Sequence, residues 1–100
     1  MEIKQPAVAG TLESSDIMIT VLPNETGTVE LELTSIVEKQ FGTAIRQSIV
    51  ETLGALGVKS VRLIAADKGA LDATIRARVK TAVFRGAQEN VYQWGGVRNG

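Results

Sequence analysis

Apolar and polar positions alternate most cleanly from Thr28 to Thr34, where Val29, Leu31 and Leu33 face one way and Glu30 and Glu32 the other. That two-residue period predicts a strand with one covered face and one wet face. Asp16 to Leu22 also alternates, with Ile17, Ile19 and Val21 against Met18, Thr20 and Leu22, so it reads as a strand with apolar groups on both faces. Pro23-Asn24-Glu25-Thr26-Gly27 has turn chemistry. The two strands are therefore expected to form a hairpin.

The period then changes. Val37, Phe41, Ile45, Ile49 and Leu53, with Ala44 and Leu56, fall on one helical stripe. Ser35 and Glu38 have capping-box spacing, so a helix is expected from Ser35 to about Leu56, with Gly57 as its terminating residue. Gly42 interrupts it at about 1 kcal/mol relative to alanine, which suggests close packing against a strand. Phe41 and Phe84 are expected in the core. Lys59 to Ala66 reads as a third strand, Asp67-Lys68-Gly69 as a tight turn capped by Asp67, and Ala70 to Ile75 as a fourth strand. A second helix is expected from Arg76 to Ala87, with Val79, Ala82 and Val83 inward. Residues 1–15 read as an extended lead-in, because Pro6 and Gly10 oppose helix. Residues 88–100 read as a flexible tail holding Tyr92 and Trp94, of which Trp94 is either incidental or a hook that orders against another subunit.

The resulting order, ββαββα, predicts an α+β two-layer sandwich: a four-stranded, mainly antiparallel sheet with two helices on one face. One hundred residues make one domain, here residues 1–87, with a core large enough to need no staples. The formal net charge is zero, against a nucleic-acid binder driven by bulk charge. The zero hides a division. Residues 1–38 carry seven acids and one base, a net of −6, and residues 39–100 carry four acids and ten bases, a net of +6. Complementarity between the halves is the simpler reading; two faces for two partners is the other. No apolar run approaches a membrane span and the N-terminus lacks a secretory pattern, so a cytoplasmic protein is expected.

The chain has no cysteine and no histidine. Disulfides and cysteine-based metal sites are thereby excluded, and a serine hydroxyl has no imidazole to activate it. Ser14 and Ser15, flanked by Glu13 and Asp16, therefore read either as an ordinary polar turn or as a point where another enzyme attaches a group. Arg76, Arg78, Lys80 and Arg85 put four bases within ten residues: a solvated helix face, or a docking patch for acidic surfaces or phosphates.

Three blocks in order carry a resemblance: QPAVAGTLESSD (Gln5 to Asp16), VEKQFGTAIR (Val37 to Arg46) and DKGALD (Asp67 to Asp72). Together they resemble the acyl carrier protein, or gamma chain, of citrate lyase, over about residues 3–85. The resemblance implies a non-catalytic carrier subunit. Its prosthetic group, 2'-(5''-phosphoribosyl)-3'-dephospho-CoA, is linked by a phosphodiester to a serine that falls on Ser14, with Ser15 as the second hydroxyl in the motif. It implies acetyl and citryl thioesters on the group's thiol, and as partners the citrate lyase alpha and beta chains and a prosthetic-group transferase. The residues agree with that role in one respect: a chain without cysteine needs an added group for thioester chemistry. A similar carrier in malonate decarboxylase, and a plain interaction domain without cofactor, are the alternatives.

Overall fold

The computed structural model describes residues 1–88. Its elements are β1 (Ala7–Ala9), β2 (Ile17–Leu22), β3 (Val29–Ser35), α1 (Glu38–Ala55), β4 (Val61–Asp67) and α2 (Asp72–Ala87). The α+β class, the four strands and the two helices agree with the sequence reading, but the element order is βββαβα. The sheet runs β1-β2-β4-β3. Two of its pairings, β1 with β2 and β2 with β4, are antiparallel, while β3 and β4 are parallel and joined through α1.

The expected hairpin of β2 and β3 does not form, because β4 lies between them. Polarity explains the arrangement. A sheet centre needs apolar groups on both sides, and β4 supplies Val61, Leu63 and Ala65 on one face with Ile64 and Ala66 on the other. The Glu30 and Glu32 row of β3 suits an edge, where charge also discourages further pairing. Residues 23–28 pass over the start of β4: Ser60 Oγ donates to the Asn24 carbonyl (3.2 Å) and accepts from Gly27 N–H (3.2 Å).

The expected strand at Ala70 to Ile75 is instead the entry to α2. Leu71, Ala73 and Ile75 do alternate, but Ile75, Val79, Ala82, Val83 and Gly86 form one buried helical stripe, and Leu71 stands outside it, 75% exposed. The strand that completes the sheet is β1, inside the lead-in; three residues are too few to show a period. Ile3 and Ala9 of the same segment are buried in the core.

Register aligns the core. Ala9 is paired with Ile19, Ile19 with Ala65 and Ala65 with Leu33; Ala7, Val21, Leu63 and Leu31 form the neighbouring row. Ile49, Leu53, Val79 and Val83 cover these rows. The opposite face carries half-buried Thr20 and exposed Glu32, Thr34 and Arg62. Both phenylalanines expected in the core lie outside it, Phe41 at 50% and Phe84 at 49% exposure.

Helix α1 ends as expected. Gly57, at φ +72°, follows the Leu56 cap; Gly57 N–H bonds the Gly54 carbonyl and Val58 N–H the Leu53 carbonyl. Its start differs from the capping box, since the N-cap is Val37 and no side chain caps it. Ser35 is the last residue of β3, and its hydroxyl donates to Asp67 Oδ2 (2.7 Å) while accepting from Val37 N–H (3.0 Å). Nor does Gly42 approach a strand: a Cβ there would meet Glu38 Cγ, on the same helix, at 3.0 Å. Among the glycines within the two helices it is Gly86 that packs against a strand: a Cβ there would lie 2.9 Å from Val21 Cγ2 and 3.2 Å from the Gln5 carbonyl oxygen.

The divided charge is complementary within the fold. Arg46 pairs with Glu38, Arg62 with Glu32 and Arg78 with Asp16, each joining a base of residues 39–100 to an acid of residues 1–38.

Candidate functional site: the serine turn

Glu13, Ser14, Ser15 and Asp16 make a β-turn closed by Asp16 N–H to the Glu13 carbonyl (3.1 Å). Ser15, the third residue, has φ +67°, the only non-glycine positive φ among the described residues. Both serines are exposed, and among the described residues neither hydroxyl makes a hydrogen bond. The turn therefore presents two free hydroxyls, with Ser14 at its leading corner.

The lead-in is tied down around this turn. Ser15 N–H bonds the Lys68 carbonyl (2.8 Å), and Lys68 N–H bonds the Asp16 carbonyl (2.8 Å). These two bonds fasten the turn to the loop between β4 and α2. That loop is itself fixed by Asp67, which is 2% exposed and accepts from Gly69 N–H (3.1 Å), Ala70 N–H (3.0 Å) and the Ser35 hydroxyl. The expected capping role of Asp67 is thus observed.

Asp16 is the hub. Its carboxylate accepts from Thr11 N–H (3.2 Å), the Thr11 hydroxyl (2.7 Å) and Ile17 N–H (2.7 Å). Arg78 grips both oxygens, through Nε to Oδ1 (3.0 Å) and Nη2 to Oδ2 (3.1 Å). Thr11 Oγ1 also accepts from Glu13 N–H (3.1 Å). These donors, led by Arg78, hold the Asp16 carboxyl well below its usual value of 3.8. Because the folded-state value is depressed, the stabilisation is complete above the unfolded-state value and is lost as pH falls toward the folded one. Asp16→Asn should therefore lower stability at pH 7 and narrow its gap from the wild type below about pH 4. Urea unfolding at a series of pH values measures this, and a gap that persists undiminished into acid contradicts it.

Ser15→Gly removes the strain of a left-handed side-chain-bearing residue, which costs about 1–2 kcal/mol. Part of that gain is offset by the entropy of glycine, about 0.5–1 kcal/mol. Stability should rise by at most about 1.5 kcal/mol in urea unfolding, with the Ser14 hydroxyl still in place.

The four-base cluster divides. Arg78 is committed to Asp16, and Arg85 Nη1 donates to the Val8 carbonyl (2.8 Å). Arg76 bridges Asp72 and Glu51, both at 2.9 Å, and so links the two helices. The Ser48 hydroxyl bonds Asp72, and this bond together with Arg76 holds the Asp72 carboxyl below its usual range. Lys80 is exposed. Tyr92 and Trp94 lie outside the described residues.

Just beyond Lys68, which bonds the serine turn, α1 and the start of α2 part to leave an open apolar cleft of about 360 Å3. Phe41, Ala44 and Ile45 line one side and Gly69, Ala70, Leu71 and Ile75 the other. The cleft wall is thus the continuation of the loop that holds Ser15. Sequence reasoning marked Ser14 and Ser15 but missed Thr11, the grip of Arg78 and the cleft. Arg78 is sixty-two residues from Asp16, and no local signal spans that distance.

The family model described as malonate decarboxylase delta subunit matches residues 4–86. The citrate lyase acyl carrier protein of Streptococcus mutans is 60% identical over 94 residues, covering 94% of this chain and 92% of that protein. The proteins of the same name from Streptococcus equi subsp. equi and Streptococcus pyogenes serotype M4 are 58% and 56% identical over the same share of each chain. The chain belongs to the citrate lyase acyl carrier protein family. A crystal structure of a Pseudomonas malonate decarboxylase hetero-tetramer in complex with malonate contains a chain of similar fold. Its TM-score is 0.67 at 20% identity, covering 85% of this chain and 91% of that one. The ordered motifs QPAVAGTLESSD, VEKQFGTAIR and DKGALD agree with this family membership. In the citrate lyase acyl carrier protein fold seen here, the first motif forms the serine turn and the third forms the loop bonded to it.

Proposed function

We propose that this chain is the covalent acyl carrier of citrate lyase and that Ser14 is its attachment point. The observation that supports this most is an exposed, unbonded hydroxyl on a turn fastened by Asp16, Arg78 and Lys68, in a chain with no thiol of its own. The high identity to named citrate lyase carriers favours this reading over a malonate decarboxylase carrier, whose likeness by structure is at 20% identity.

The residues fit a phosphodiester-linked group of the phosphoribosyl dephospho-coenzyme A type. An exposed serine oxygen at a turn corner can be reached by a transferase, and it has room for a linked group. When bound, the group supplies the thiol that carries acetyl and citryl thioesters while citrate becomes acetate and oxaloacetate. The chain's own part is to hold the tether point. Asp16 and Arg78 fix the turn, and the free hydroxyl of Ser14 is the acceptor. Ser15, whose backbone N–H is bonded to the Lys68 carbonyl, is the second hydroxyl of the turn. The partners in this reading are the citrate lyase alpha and beta chains and the transferase, in the cytoplasm. No helix among the described residues is long and apolar enough to cross a membrane.

Reconstitution tests the reading. Protein produced with the transferase should gain the mass of one prosthetic group and should restore citrate cleavage when mixed with the alpha and beta chains. Equal turnover with the bare polypeptide overturns the carrier role.

A further inference from the structure

The cleft between α1 and the start of α2 is larger than a packing defect, at about 360 Å3, and falls within the range of small-ligand clefts, roughly 300–1,000 Å3. Three large apolar side chains stand exposed around it: Leu71 at 75%, Ile36 at 67% and Phe41 at 50%. Ile36 Cδ1 reaches the same loop, 3.8 Å from where a Cβ on Gly69 would sit. Leaving such groups in water is unfavourable by about 25 cal/mol per Å2, so the face favours an occupant. Its position suggests which. The loop that accepts the Ser15 N–H through Lys68 runs directly into Gly69, Ala70 and Leu71, the cleft wall. Anything tethered at Ser14 starts from a turn hydrogen-bonded to Lys68, the residue immediately before that wall.

The chemistry is selective. The lining is apolar except at Ser48 and Asp72. Asp72 keeps its negative charge there, paired with Arg76, and Glu51 lies on the other side of that guanidinium. A neutral chain of amides and methylene groups with a small uncharged acyl end can enter such a cleft. An acyl end bearing several carboxylates loses solvation against the apolar wall and faces the Asp72 charge.

We propose that the cleft between α1 and the start of α2 is a resting site for the neutral, thiol-ending segment of the arm attached at Ser14, accepting the acetylated arm and rejecting the citryl-bearing one. This rests on the carrier reading above. The cleft shelters the acetyl thioester between encounters, and the change of acyl charge releases the arm.

The test uses the modified full-length protein, its single prosthetic group first verified by intact mass. Methyl-labelled NMR follows Ala44, Ile45, Ala70 and Ile75 in the unmodified, acetylated and citryl-bearing forms. Alkylation of the deacylated arm's thiol by iodoacetamide reports its exposure. The expected result is a methyl shift in the acetylated form that disappears in the citryl form. Ala44→Trp, which fills the cleft from an exposed helix position, should speed alkylation about three- to tenfold and abolish the shift. Phe41→Ala, also at an exposed position, should act in the same direction. Methyl signals identical in all three forms, with alkylation as fast as in free coenzyme A, overturn the proposal while leaving the carrier reading intact. An unmodified mass overturns both.

Discussion

Ser14→Ala protein, made alongside the enzymes that attach the group, should emerge with the mass of the bare polypeptide, and citrate cleavage in the reconstituted complex should fall to background. Deleting this oxygen breaks no hydrogen bond within the described residues, because the hydroxyl makes none. Thermal unfolding should therefore stay within about 0.5 kcal/mol of the wild type, as for a surface substitution away from packing features. The pairing of lost mass with retained stability is what separates a tether point from a structural residue. Ser15→Ala is the matched control. It keeps the turn's φ problem and the Ser14 oxygen, so it should retain the group. Attachment surviving in Ser14→Ala and vanishing in Ser15→Ala reassigns the site.

Gly10→Ala should be the most damaging single methyl. Gly10 has φ +91°, outside the comfortable range of an L side chain, and a Cβ there would lie 1.9 Å from the Ile17 carbonyl oxygen. Neither atom can give way cheaply, since Ile17 is fully buried and opens β2. The second contact, Arg78 Cδ at 3.2 Å, is part of the grip on Asp16. The substitution thus strains the backbone, pushes β1 off β2 and disturbs the serine turn together. A loss of about 3–5 kcal/mol is expected, at the upper end of single substitutions. For a domain of this size that corresponds to a fall in melting temperature on the order of 15–30 °C. Transfer of the prosthetic group should slow as well, because the turn loses its anchor. A melting temperature within a few degrees of the wild type contradicts this account.

The parts of the fold visible in the sequence were those with sustained periods. The alternation of Val29, Leu31 and Leu33, the stripe Ile45, Ile49 and Leu53, and the glycine stop at Gly57 all correspond to observed features. What failed was short or non-local. Ala7–Ala9 is too brief to declare a period, and Leu71, Ala73 and Ile75 satisfy a strand and a helix about equally until Val79 and Val83 extend the stripe. Strand order was hidden for a different reason. A turn sequence at residues 23–27 says that the chain bends, not which strand it meets next; the apolar demand of the sheet centre decides that. Ser35 and Glu38 had the spacing of a cap, yet Ser35 bonds Asp67, thirty-two residues later, because a buried carboxylate needs donors more than the helix start does. The same divide runs through the site. The serines are legible as a motif, whereas Arg78, Lys68 and the cleft come together only through folding.

The parts of this turn are made at different times. Ser14 is synthesised before the groups that fasten its turn, Lys68 and Arg78, which lie far downstream in the chain. The backbone N–H groups of Lys4 and Gln5 also wait for the carbonyl of Gly86, near the end of α2. A nascent chain therefore carries the serine before it carries the contacts that shape its turn. On the carrier reading proposed above, an enzyme that recognises that shape would act only on folded molecules and would pass over a chain that has yet to close.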